Sequence, residues 1–344
     1  MRTRLMSITS GAVVSVALIG GAIAAPAYAT DPIPRPPKAS IVGVGSDSAQ
    51  DVMEKVGRTL ARSGYSGNYN TTTRTFKLWG YDATGSSTIV TKTGCSRIKR
   101  PNGSGAGIAA LKADEAHHTG CVDFARSSRV KNPATDGDLM FVPYARDGVT
   151  WAAFPASTGG SVFHSPANLT TTRLRAIYRC TVTRWNQVGG RNFPIAAYLP
   201  QAGSGTRSFF LSAIGVTRPG PCVRQPTTLE ENTGTLIPPA NRPNAIVPFS
   251  TAKWIAEKRT ISADVRGGAT LRKINGASPL TSTGALNARF APSYLRLIYN
   301  VIKPADRAKA QFVKIFSRRG YICRHPSIAT TFGFAALPST RCGY

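Results

Sequence analysis

Acidic residues are scarce in this 344-residue chain: 16 Asp and Glu stand against 43 Lys and Arg, for a formal net charge of +27. Charged residues of either sign make up only 17%. That excludes coiled coils and charged-faced helical bundles, which need many more. Histidine is nearly absent, with only His117, His118, His164 and His325. No C-x-x-C occurs and no pair of histidines has ligand spacing, so no metal and no cofactor are expected. A serine hydrolase built on Ser204 or Ser127 would need a histidine base and an orienting acid. None of the four histidines lies in such a motif, and Ala202-Gly203-Ser204-Gly205-Thr206 is not Gly-x-Ser-x-Gly. The reading is therefore non-catalytic. No internal repeat is visible. Aromatics are not interleaved with basic runs, which argues against a nucleic-acid platform.

Apolar residues form 42% of the chain, enough for a core, and Gly (33) and Pro (24) are plentiful. Residues 1–29 have the pattern of a secretion signal. Arg2 and Arg4 precede a mostly apolar stretch from Ile8 to Ala25, and Ala27-Tyr28-Ala29 is a cleavage site of the A-x-A kind. No Cys stands near the cut to take a lipid anchor, and no twin Arg is present. A secreted protein is expected, with a Pro-rich lead-in over 30–38. The basic excess then suits an anionic cell-envelope polymer as partner better than nucleic acid.

All six cysteines, Cys95, Cys121, Cys180, Cys222, Cys323 and Cys342, lie beyond the signal. An even count in a secreted chain points to disulfides, and six cysteines allow fifteen pairings. Sequential pairing is preferred because each bridge then closes a local loop.

Along the mature chain, strand-like runs alternate with helical ones. Ser40–Val44 reads as a strand, followed by a helix carrying Val52, Val56 and Leu60, and Thr75–Trp79 as the next strand. Cys121–Ala125, Pro194–Leu199, Asn244–Val247 and Tyr294–Ile302 read as further strands, and Thr171–Arg179 and Pro304–Ser317 as helices. Leu139–Tyr144 and Val149–Phe154 are two apolar runs around Arg146-Asp147-Gly148. The alternation argues an α/β fold with mainly parallel sheets.

Three strand-to-helix turns share one chemistry: Gly45-Ser46-Asp47-Ser48, Gly103-Ser104-Gly105 and Gly203-Ser204-Gly205-Thr206. Free N–H groups and the positive dipole end at a helix start favour an anion. Glycine permits close approach and serine or threonine adds a hydroxyl donor. Converging turns of this kind would make an oxyanion cage.

With these turns, Val122-Asp123-Phe124-Ala125-Arg126-Ser127-Ser128 and the segment from Leu169 to Trp185-Asn186, the chain resembles the phosphate-binding proteins of ABC phosphate importers, within the type II periplasmic binding proteins. The resemblance spans nearly all of 40–344, and Gly203-Ser204-Gly205-Thr206 is its most specific piece. It implies two α/β lobes joined by crossings near Tyr144–Val149 and Asn244–Ser250. Lobe one would be 39–145 plus 250–344, lobe two 146–249, with a small anionic ligand between them and an ABC permease as partner. By the same resemblance Asp47, Ser48, Ser104, Ser128, Ser204, Gly205 and Thr206 line the cleft. The family's Arg and Asp ahead of Gly-Ser-Gly-Thr are replaced by Pro200 and Ala202, and its acidic strand end by Ser128. Arg126 or Arg207 is expected to replace the lost guanidinium. Asp47 is expected either to accept a ligand proton or to cap the helix at Ser48. The rival class is a secreted envelope scaffold or adhesion protein that kept the fold without the transport ligand.

Overall fold

The structure, a computed structural model, describes residues 31–32, 35–62 and 78–344. The signal over 1–29 and the beginning of the strand read at Thr75 lie outside these residues. The chain opens with β1 (Ile41–Gly45), a 3-10 turn over Asp47–Ala49, and α1 (Gln50–Arg62). Then come β2 (Leu78–Gly80), the small pair β3 (Thr88–Ile89) and β4 (Ile98–Lys99), α2 (Gly103–His117), β5 (Phe124–Ser127) and α3 (Pro133–Asp136). The middle holds β6 (Met140–Ala153), β7 (Asn168–Leu169), α4 (Thr171–Tyr178), β8 (Ala196–Ala197) and α5 (Gly205–Ala213). The last part holds β9 (Ala245–Ser250), α6 (Thr251–Lys258), β10 (Thr270–Leu271), β11 (Lys273–Ile274), β12 (Leu295–Ile302), α7 (Ala310–Phe316), α8 (Tyr321–Arg324), α9 (Pro326–Thr331) and β13 (Ala335–Ala336).

The main sheet runs β2-β1-β5-β12-β6-β9-β8. β1 pairs in parallel with β2 and β5, and β8 pairs in parallel with β9. β12, however, is antiparallel to both β5 and β6, and β6 is antiparallel to β9, β10 and β13. The sheet is therefore mixed, where the alternating pattern had suggested mainly parallel strands. The difference lies in β6 and β12, long neighbouring strands that run in opposite directions and so need none of the crossover that a parallel pair requires.

β6 also departs from the reading of two apolar runs around Arg146-Asp147-Gly148. Arg146-Asp147-Gly148 has turn composition, yet the 14 residues Met140–Ala153 form one strand. Its first half pairs with β12, ending at Leu295 opposite Gly148, and its second half pairs with β9, starting at Val149 opposite Ser250. The strand changes partner within one residue.

Four buried clusters flank the sheet. Ile41, α1 residues Val52, Met53 and Val56, and α7 residues Phe312 and Phe316 pack on one face of the β1–β5–β12 region. Val42, Val44 and the α2 residues Ile108 and Leu111 pack on the other. Beyond Gly148, alternate β6 residues again go to opposite faces: Trp151 and Ala153 join α4 and α5, and Ala152 and Phe154 join Trp254 and Ile255. That is the period-two alternation of a strand buried on both sides. The segment 250–344 is divided between these regions. Trp254, Ile255, Ala269, Ile274 and Phe290 pack with the second pair of clusters, and the chain rejoins the first from β12 onward.

Three disulfides, Cys95–Cys121, Cys180–Cys222 and Cys323–Cys342, span 26, 42 and 19 residues. Local loop closure was thus the right criterion among the fifteen pairings. Among the described residues no helix is long and apolar enough to cross a membrane.

Candidate functional site

The three glycine-serine turns meet in space. Gly45 ends β1 with φ of 114°, a value that favours glycine, and sends Ser46 and Ser48 into the 3-10 turn that leads into α1. Asn102 precedes α2, so that Ser104 lies in its first turn, and Ser204 caps α5, its Oγ accepting from the Arg207 amide at 3.2 Å. The Gly105 amide donates to the Gly203 carbonyl at 3.2 Å, joining the second turn to the third.

The hydroxyls converge into one buried network. Ser46 Oγ donates to Ser128 Oγ at 3.2 Å, Ser104 Oγ lies 3.2 Å from the same oxygen, and the Ser128 amide donates to Ser104 Oγ at 2.9 Å. Ser48 Oγ and Ser204 Oγ donate to the two carboxylate oxygens of Glu231, the latter at 2.9 Å. Glu231 is 1% exposed. Its carboxylate is an oxyanion held by hydroxyls from two of the three turns. Thr206 is fully buried in the first turn of α5, and its Oγ1 has no hydrogen-bond partner.

One guanidinium faces this network, and it is neither Arg126 nor Arg207. Arg296 reaches in from β12, donating to the Ser128 carbonyl at 3.1 Å and to Ser48 Oγ at 3.5 Å. It also pairs with Asp147 of β6 at 2.8 Å, both side chains being 0% exposed. Asp147 in turn accepts from Ser250 Oγ and from the Ala252 amide at 2.9 Å each, capping α6. Neither arginine expected to replace the lost guanidinium points into this network. Arg126 is fully buried, but its guanidinium donates to the backbone carbonyls of Gly43, Gly45, Ser46 and Tyr81. It shapes the first turn from behind. Arg207 turns toward the Pro200 carbonyl and Gln225.

Asp47 does not join the hydroxyl network. It is 5% exposed, Oδ2 has no hydrogen-bond partner, and the residue lines a cavity beside the cage. Burial pushes its carboxyl up to about 6, with Lys253 opposing and Glu231, Asp51 and Asp82 adding to the rise.

Of the candidate residues, then, the structure brings Ser48, Ser104, Ser128, Ser204, Gly205 and Thr206 together, sets Asp47 alongside, and directs Arg126 and Arg207 elsewhere. Asp147, Glu231 and Arg296 were missed, and Ser46 was read only as part of the first turn. Two had a signal: Arg296 interrupts the apolar run Leu295–Ile302, and Glu230-Glu231 is the one Glu-Glu dipeptide in an acid-poor chain.

Gly205 sits where these turns touch. A Cβ there would fall within van der Waals overlap of Ser104 Oγ and Ser128 Oγ and 3.1 Å from the Arg129 amide. Gly205→Ala is expected to cost about 1–3 kcal/mol, as overpacking does. Urea unfolding measures this; an unchanged midpoint would mean that the turns do not meet in solution.

The comparisons with known proteins agree with this architecture. The profile of the PBP superfamily domain matches residues 30–288. The chain belongs to the PBP superfamily. Solved structures similar to this PBP-superfamily protein include an ABC-type phosphate transport receptor from Vibrio cholerae, 20% identical with a TM-score of 0.54, covering 87% of this chain and 100% of that one. A putative phosphate ABC transporter substrate-binding protein from Clostridium perfringens, solved with bound phosphate, is 17% identical with a TM-score of 0.57 and the same coverage. A human phosphate binding apolipoprotein is 14% identical with a TM-score of 0.50, covering 88% of this chain and 92% of that one. At these identities the likeness concerns the fold. The PBP-superfamily chain has the mixed α/β architecture of type II periplasmic binding proteins.

Proposed function

We propose that this protein is a secreted, non-catalytic solute-binding protein that captures a small oxyanion, phosphate or a phosphorylated ligand between two lobes, for uptake through an ABC permease. The supporting observation is the convergence of Ser46, Ser48, Ser104 and Ser204 from three helix starts with Ser128 from the end of β5. We place the lobe crossings in β6 and β9, which pair at Val149 and Ser250. Ser48 and Ser204 already hold a carboxylate, so their hydroxyls suit another oxyanion, planar or tetrahedral, once the Glu231 side chain withdraws.

Calorimetry of the mature protein against phosphate, sulfate and simple phosphate esters tests this reading. One-site binding is expected, weakened about 10- to 100-fold by Ser204→Ala, the loss of one hydrogen bond to a charged group being worth about 1.5–3 kcal/mol. No heat with any of these anions would sink it.

One feature favours the scaffold reading. Glu231 fills the cage and Asp147 neutralises Arg296. A protein that had given up transport would have no need of a free cage, and the envelope would then be the partner of its basic surface. The same titration separates the two.

A further inference from the structure

The chain's acids are few but not dispersed. Asp47, Asp51, Glu54, Asp82 and Glu230 line a single cavity of about 360 Å³, five of the 16 in the whole sequence. That volume has room for roughly a dozen waters. The cations in its wall are committed or outside: Lys253 Nζ pairs with Asp51 at 3.0 Å, Arg58 pairs with Glu54 at 3.3 Å, and Lys55 is exposed.

Three acceptors in the same wall are unmet. Asp47 Oδ2, Glu230 Oε2 and Asn232 Oδ1 have no hydrogen-bond partner, although the residues are 5%, 3% and 5% exposed. Buried acceptors are normally satisfied, and leaving one unmade costs about 1–3 kcal/mol. An ammonium group carries three donors and no acceptor, which is what three orphaned oxygens lack. A metal ion is a poorer fit: among the described residues no group of three His, Cys, Asp or Glu could hold one. A quaternary ammonium would want an aromatic cage, and Phe332 is the one aromatic in the lining.

The cavity adjoins the hydroxyl cage through consecutive residues. Asp47 faces the cavity and Ser48 the cage; Glu230 faces the cavity and Glu231 the cage. In the cage the charges of Arg296, Asp147 and Glu231 sum to one negative, so a bare phosphate dianion meets no spare cation there.

We propose that this cavity is a subsite for a primary ammonium, and that the solute is a small zwitterion, a phosphate ester or phosphonate bearing an amine. The assignment rests on the oxyanion reading of the cage above. The ligand's own cation offsets the missing protein cation: its arrival ionises Glu230, which burial otherwise keeps protonated, and its N–H groups satisfy Asp47, Glu230 and Asn232.

The test is calorimetry of the mature protein with phosphoethanolamine, its amine-free analogue ethyl phosphate, inorganic phosphate, and ethanolamine alone. Phosphoethanolamine should bind at least tenfold tighter than ethyl phosphate. Glu230→Gln should bring the two esters to equal affinity; Asp47→Asn should do the same if the first variant folds poorly by circular dichroism. Equal affinity of the two esters in the unaltered protein overturns the ammonium subsite while leaving the oxyanion reading intact. Binding of ethanolamine alone, lost in Glu230→Gln, with no response to any phosphate, supports the subsite and removes the oxyanion reading. Silence toward all four overturns both.

Discussion

Replacing Asp147 by alanine is expected to destabilise the protein by about 3–5 kcal/mol, because it leaves the guanidinium of Arg296 buried without its counter-charge. The effect should exceed that of an exposed ion pair such as Arg266–Asp264, which contributes at most about 1 kcal/mol. Asp147 also holds Ser250 Oγ and the Ala252 amide, so its loss uncaps α6 at the place where β9 ends. Urea unfolding with tryptophan fluorescence reads the change directly. The double variant Asp147→Leu with Arg296→Met should recover part of the loss, since replacing both charges by apolar groups removes the unpaired one. A loss below about 1 kcal/mol in the single variant would show that water reaches Arg296 and that the site is more open than described.

Raising the pH from 5 to 9 is expected to weaken the fold, in contrast to a protein whose carboxylates are well paired. Burial, with Asp47 and Glu231 nearby, pushes Glu230 up to about 9. Burial and the hydrogen-bonded neighbour Asp82, with Asp51 adding and Arg126 opposing, push Glu54 up to about 8. Glu257, buried beside Asn232 and Lys253, goes up to about 7. A carboxyl whose folded pKa lies above its unfolded value binds more protons when folded. Its contribution is complete below the unfolded value near 4.5 and is lost as pH rises through the folded value. All three shifts have the same sign, so stability should fall steadily between pH 5 and 9. Glu230→Gln and Glu54→Gln, each keeping shape without charge, should flatten the profile. A urea midpoint that stays level or rises over this range in the unaltered protein would contradict the burial of these groups.

Much of the fold was legible because its signals are local. The β1 run, the Val52–Val56–Leu60 spacing of α1 and the Gly-Ser helix starts at 103 and 203 each declare themselves within a dozen residues, and all correspond to observed elements. The hydroxyls of the cage were legible for the same reason. Its charged members were not. Asp147 and Arg296 are 149 residues apart, and Ser48 and Glu231 are 183 apart. Such pairs depend on strand order, which period and composition do not contain. Arg146-Asp147-Gly148 divided the stretch into two runs because charged residues and glycine ordinarily interrupt a strand's apolar pattern. Here the charge is neutralised across the sheet, and Gly148 has no room for a side chain against Leu286 and Thr251.

The unbroken course of β6 governs how the molecule could be taken apart. A chain whose two halves met only through loops could be nicked at the junction and its pieces expressed separately. In this protein the same strand gives its first eight or nine residues to one half-sheet and the rest to the other. A break near Gly148 would leave each fragment with a strand stub and a bare row of backbone donors and acceptors along β12 or β9. Fragments of that kind pair with one another or aggregate instead of standing alone. With β6 shared in this way, the protein should denature as one cooperative unit, with fragment complementation replacing independent halves.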